Sequence, residues 1–218
     1  MASEAWQCPT LLLNGFGEHR IEGIGDKHVP WVHNVRDTDA VAAIDDEDCL
    51  RILRLFNEPA GREHLVARGV GEGEVEQLGW LGISSIANLL AAIKTAKYFE
   101  LGEGTCCSPC SRIRPIFTRR AWRSCASSGG AYTEKDAVAD YAGPLAHQGR
   151  DGFKELTYPE RTAIHNLKYY MWVEQQGKTV QELNAQWDPE YWRARFEDEV
   201  AYFDQLITEF NRQAGAAD

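Results

Sequence analysis

Polar and apolar positions along this chain change period several times, and each change marks an element. Asp39-Ala-Val-Ala-Ala-Ile44 predicts a short buried strand, and Asp45 and Asp46 stand where they can cap a helix. In that helix Cys49, Ile52, Leu53 and Phe56 fall at i, i+3, i+4 and i+7, one apolar face. Residues 57–79 are rich in Gly and Glu and predict a loop with a brief helix. Trp80-Leu-Gly-Ile-Ser-Ser85 predicts a strand and turn, leading into a helix with Ile86, Leu89, Leu90 and Ile93 on one face. Strand, helix, strand, helix predicts an α/β fold over 1–104, a partial parallel sheet covered by helices.

From residue 131 onward the period is helical, which predicts an all-helical C-terminal extension over 131–218. Thr157-Tyr-Pro-Glu160 is a helix start with proline in the first turn, Ile164, Leu167 and Met171 mark the buried side, and Gly177 is the stop. Thr179 and Glu182 have capping-box spacing. Asp188-Pro189 opens the last helix, where Trp192, Phe196, Val200, Phe203, Ile207 and Phe210 recur at steps of three and four. Such a stripe predicts a packing surface.

Residues 105–130 break the pattern. They read TCCSPCSRIRPIFTRRAWRSCASSGG, with five arginines and no acid. Cys106-Cys-Ser-Pro-Cys110 invites a zinc reading, but a closed site needs four ligands, and Cys125 with no nearby histidine leaves the spacing irregular. A displaced reading frame accounts for the stretch better. Cys and Trp codons begin with TG, so in a frame moved back by one base Cys106, Cys107, Cys110, Trp122 and Cys125 each become Leu, Met or Val. The whole stretch can then be restored as DVLLTVLTDSADLYTSRLEELRELR, a buried strand, a turn and an amphipathic helix. As printed, it is expected to be irregular.

Composition narrows the function classes. At 218 residues and 44% hydrophobic content the chain can bury a real core. No apolar run approaches membrane-spanning length, and MASEAWQCPT lacks the basic and apolar segments of a signal peptide. A net charge of −10 argues against a nucleic-acid surface and for a cytoplasmic protein. The six histidines have no metal-ligand spacing, and no Ser/His/Asp order, Walker loop or dinucleotide fingerprint is present. No metal ligand is assigned.

The remaining chemistry gathers at CPTLLLNGFGEHRIEGIGDKHVP, residues 8–30. Gly23 and Gly25 flank one isoleucine where a backbone can turn tightly or approach a ligand closely, and Pro30 closes the segment. The stretch resembles the glycine segment of the cysteine synthase family, pyridoxal-phosphate enzymes of fold type II related to tryptophan synthase beta chains. That segment reads close to SPVLSGG-x-PG-x-HKIQGIG-x-x-x-P, matched here at Pro9, Gly15, His19, Ile21, Gly23-Ile24-Gly25 and Pro30. Leu81-Gly-Ile-Ser-Ser85 is similar to the family's Ala-Gly-Ile-Ser-Ser-Gly turn, with Ile86 where a glycine is usual. Glu155-Leu-Thr-Tyr158, Ile164-His-Asn-Leu-Lys-Tyr169 and Trp172-Val-Glu-Gln-Gln-Gly-Lys178 are similar to a C-terminal extension carried by one branch.

In that family the glycine segment passes over the cofactor ring, so the resemblance implies Gly23, Ile24 and Gly25 as cofactor-binding residues. It implies a lyase or synthase acting on an amino-acid substrate by β-elimination or β-replacement, with a homodimer open and no nucleic-acid or membrane partner. The family's Schiff-base lysine and phosphate-cradling glycine loop precede the glycine segment, in sequence this chain does not contain. The serine that contacts the pyridine nitrogen corresponds to Arg114. No catalytic residue is therefore assigned, and the chain alone is expected to be inactive and to hold no cofactor. Lys27 lies in the right loop but reads more simply as a solvated turn. The rival reading is a non-enzymatic helical interaction module that binds a partner through the aromatic stripe.

Overall fold

The computed structural model describes residues 1–105, 107–108 and 130–215. The fold is mixed α/β and mostly helical, with one small sheet at its centre. Strand β2 (Ala40–Ile44) is the middle of that sheet. It pairs in parallel with β1 (Ala2–Ala5), Ala2 opposite Val41 and Ala5 opposite Ile44. On its other edge it pairs antiparallel with β3 (Phe153–Glu155), Ala42 opposite Phe153. Every residue of β2 is buried, as the unbroken apolar run requires of a strand covered on both faces.

One face of the sheet sends Ala5, Ala42 and Ile44 into the main core, which α2 (Asp46–Asn57) and α5 (Ile83–Tyr98) complete with Cys49, Ile52, Leu53, Phe56, Ile86 and Leu90. The other face sends Val41 into a smaller cluster with Val29, Val35, Leu156 and Ile164. Asp45 caps α2 by accepting from the Glu47 N–H. Asp46 does not share that role: it is buried and holds Arg20 through two guanidinium contacts of 3.0 and 3.3 Å.

Three expectations are corrected. Residues 80–85 form no strand, because backbone turns from Gln77 and Leu78 to Trp80 and Leu81 run directly into α5, whose first residue Ile83 is buried as part of a helix. Residues 57–79 hold two helices, α3 (Pro59–Ala67) with Pro59 in its first turn and α4 (Glu72–Leu78). The segment after 131 is not all helical, since β3 supplies an antiparallel edge to a sheet expected to be purely parallel.

The remaining C-terminal helices are α6 (Glu134–Asp140), α7 (Tyr158–Lys168), α8 (Val180–Ala185), α9 (Pro189–Arg193) and α10 (Glu199–Ala214). The capping boxes at Thr157/Glu160 and Thr179/Glu182 form, and Gly177 adopts φ +72° where the chain stops being helical. The packing surface expected of the aromatic stripe is not there within this chain. Trp192 is buried, but Phe196, Val200, Phe203, Ile207 and Phe210 are 46–70% exposed. Residues 201–215 are exposed on every side.

Apart from their ends, the readings for 105–130, the zinc reading and Arg114 among them, lie outside the described residues. No single helix among the described residues is long and apolar enough to cross a membrane.

Candidate functional site

The glycine segment lines a cavity of about 680 Å³, opposite the Ala2–Glu4 stretch of β1. Gly23, Ile24 and Gly25 all contribute to its wall. Both glycines have positive φ, +94° and +79°, a conformation an L side chain reaches only with strain. At Gly25 there is also no room: a Cβ would come within 2.9 Å of His19 Nε2 and 3.0 Å of the Ala5 side chain.

Three polar anchors set this bend. The His19 ring sits beneath it, Nε2 donating to the Gly25 carbonyl at 2.7 Å. At the start of the bend the Arg20 N–H and guanidinium both bind Asp46, in the first turn of α2. Asp46 and Glu47 beside the guanidinium hold its proton far more tightly than usual. Thr10 ties down the far side by donating to the Asp26 carbonyl at 2.8 Å.

A fourth anchor lies under the cavity floor. Glu4, buried on β1, accepts from the N–H groups of Leu11 and Leu12, both at 2.9 Å. Burial raises its pKa, and the backbone N–H groups of Leu11, Leu12 and Thr10 offset only part of that rise.

The donation by Nε2 leaves His19 Nδ1 as an acceptor in the neutral ring. That atom is buried and has no protein partner, and the same is true of Glu22 Oε2. Both residues line the cavity. Its wall therefore offers an apolar surface and a bare main-chain bend, a set that favours a flat ligand. The anchoring role of His19 escapes a reading of spacing alone, because it follows from the fold bringing its ring under the Gly25 carbonyl.

Lys27 is exposed and is not part of the cavity wall, as a solvated turn requires. His28 and His33 both reach the wall, His33 bound to Thr38 Oγ1 at 2.8 Å, with its pKa lowered by burial and by nearby Lys168. Among the described residues no group of three or more His, Cys, Asp or Glu could hold a metal ion.

The second word of the family pattern lies beside the first. A Cβ on Gly23 would sit 3.8 Å from Ser84 Oγ, so the Gly-Ile-Gly bend and the Leu81–Ser85 turn face each other although 60 residues separate them. The C-terminal helices close the outer end of the segment. Lys168 Nζ donates to the carbonyls of Trp31 and His33 and to Gln186 Oε1, and Trp172 Nε1 donates to the Val29 carbonyl. Comparison with protein-family models, with curated proteins and with solved structures finds no match to this chain.

Proposed function

We propose that this chain is the C-terminal portion of a pyridoxal-phosphate-dependent lyase or synthase of the fold type II kind, acting on an amino acid by β-elimination or β-replacement. On this reading it carries one wall of the cofactor cavity and is inactive by itself. The observation that carries it is the Gly23-Ile24-Gly25 bend on the cavity wall, with Ser84 of the Leu81–Ser85 turn packed beside Gly23. Pyridoxal phosphate supplies an electron sink when bound, and the protein must grip it in three ways: a face for the ring, donors for the phosphate and a lysine for the aldehyde.

The ring face fits, since the bend presents main chain and Ile24 to an apolar space. The other two grips do not. Among the described residues neither lysine nor arginine lines the cavity, so it offers a phosphate no cationic donor. The chain's own residues thus position and shape one side of the site and carry no chemical step.

The test uses 4-deoxypyridoxine, a cofactor ring without phosphate or aldehyde, followed by backbone amide shifts. Shifts confined to Gly23, Ile24, Gly25 and the other wall residues are expected at millimolar ligand, and their absence overturns the reading. Pyridoxal phosphate followed by borohydride should leave no stoichiometric lysine adduct. One adduct at a single lysine would show that the chain keeps its own anchor and is no fragment.

A second reading, the helical interaction module, is favoured by one observation: α10 exposes its apolar stripe together with every other side chain from 201 to 215.

A further inference from the structure

The last helix poses a problem of stability. A lone helix of about 15 residues is marginal in water, because its nucleation cost is repaid mainly by burying an apolar face. α10 has 16 residues and buries none of them. Its apolar positions follow a stricter rule than amphipathicity. From Phe196 the steps are four, three, four and three, the alternation of a coiled-coil seam. Val200 and Ile207 take one seam position and Phe203 and Phe210 the other, with Phe196 preceding them in the π-helical turn Ala194–Asp198.

We infer that the partner of this seam is a second copy of the same helix, laid antiparallel. This rests on the second reading above and is independent of the cofactor cavity. Charge decides the direction. In a parallel pair Glu199 would flank Asp204 of the other copy twice, acid against acid. In an antiparallel pair centred between Phe203 and Ile207, Glu199 meets Gln213 and Glu197 meets Asn211, leaving Asp204 alone to face its own copy. On the opposite flank Leu206 meets Leu206, widening the apolar contact at the centre.

Area and clearance agree with this choice. Phe196, Val200, Phe203, Leu206, Ile207 and Phe210 are each 46–70% exposed. Covering that much of six large side chains buries roughly 600 Å² per copy, or about 1,200 Å² in total, the lower edge of a specific interface. α10 is roughly 24 Å long and continues from the π-helical turn Ala194–Asp198, so antiparallel copies keep their bodies at opposite ends.

Sedimentation of the full chain between 1 and 100 µM tests the inference. A dimer is expected, and Phe203→Asp should convert it to monomer and lower the far-UV helical signal as the unpaired α10 frays. Asp204→Asn should tighten the dimer several-fold and Glu199→Gln should leave it unchanged. Equal tightening by both variants overturns the antiparallel arrangement, because only a parallel pair opposes those two residues.

A wild-type chain that stays monomeric at 100 µM overturns self-pairing altogether. Binding of an anilinonaphthalene dye then separates the two levels. Dye bound by that monomer and lost in Phe203→Asp leaves a docking face with a different occupant. Equal dye binding by both removes the docking face as well.

Discussion

Two lysines are taken out of water in this protein, and their surroundings differ in one respect. Lys94 on α5 donates to the carbonyls of Ala43 and Asp151, with the Asp151 carboxylate 3.8 Å away. It opens on a second cavity of about 450 Å³ whose wall includes Asp45, Asp48, Arg51 and His147. Burial lowers its pKa, while Asp151, Asp48 and Asp45 push the other way. Lys168 on α7 is fully buried and has three neutral acceptors, and burial alone brings its pKa to about 8. Carboxylates compensate the first lysine, whereas the second is held by geometry alone. The lesson concerns the cavity wall: the segment from Val29 to His33 is fastened to the C-terminal helices by a charge that folding would rather neutralise.

Removing each amine breaks the comparison most sharply. Lys168→Met strands the Trp31 and His33 carbonyls and the Gln186 amide oxygen in a buried site, and should lower stability by about 3 kcal/mol at pH 7 in denaturant titration. Next comes the pH dependence. The folded pKa of Lys168 lies below its unfolded value, so the unfolded chain binds more protons between them and stability rises with pH there. The cost of the charged amine is fully present below pH 8 and relieved toward pH 10.5. Wild type should therefore gain about 2 kcal/mol on Lys168→Met between pH 8 and 10. Lys94→Met should cost less, about 1–2 kcal/mol, because water in the second cavity can reach the Asp151 carbonyl. The smallest effect is Asp151→Asn, under about 0.5 kcal/mol, since that carboxylate is 78% exposed.

The legible part of the fold lies where local rules and burial agree. β2, the apolar face of α2, the helix start at Thr157 and the capping box at Thr179/Glu182 follow directly from run length, period and spacing. That Gly23 and Gly25 mark a tight backbone bend was legible in their spacing, and both adopt positive φ. β1 was not, because Ala-Ser-Glu-Ala has neither alternation nor an apolar run and becomes a strand only by pairing with β2. The apolar run at 80–85 fitted strand or helix equally, and the turn that closes α4 decided for helix. Lys168 sits four residues after Ile164, on the inner face of α7, where a charged residue reads as outward-facing. The stripe on α10 was correctly apolar, but periodicity does not say what covers it.

The pairing order of the sheet also has a consequence during synthesis. β2 receives β1 from behind it in the chain but waits for β3, whose first residue lies more than a hundred positions later. At ribosomal speeds of 5–20 residues per second that interval is roughly 5–20 s, during which one apolar strand has an open edge. The nascent chain is therefore most exposed to chaperone capture, and to sticking to its neighbours, after Ile44 has emerged and before Phe153 arrives.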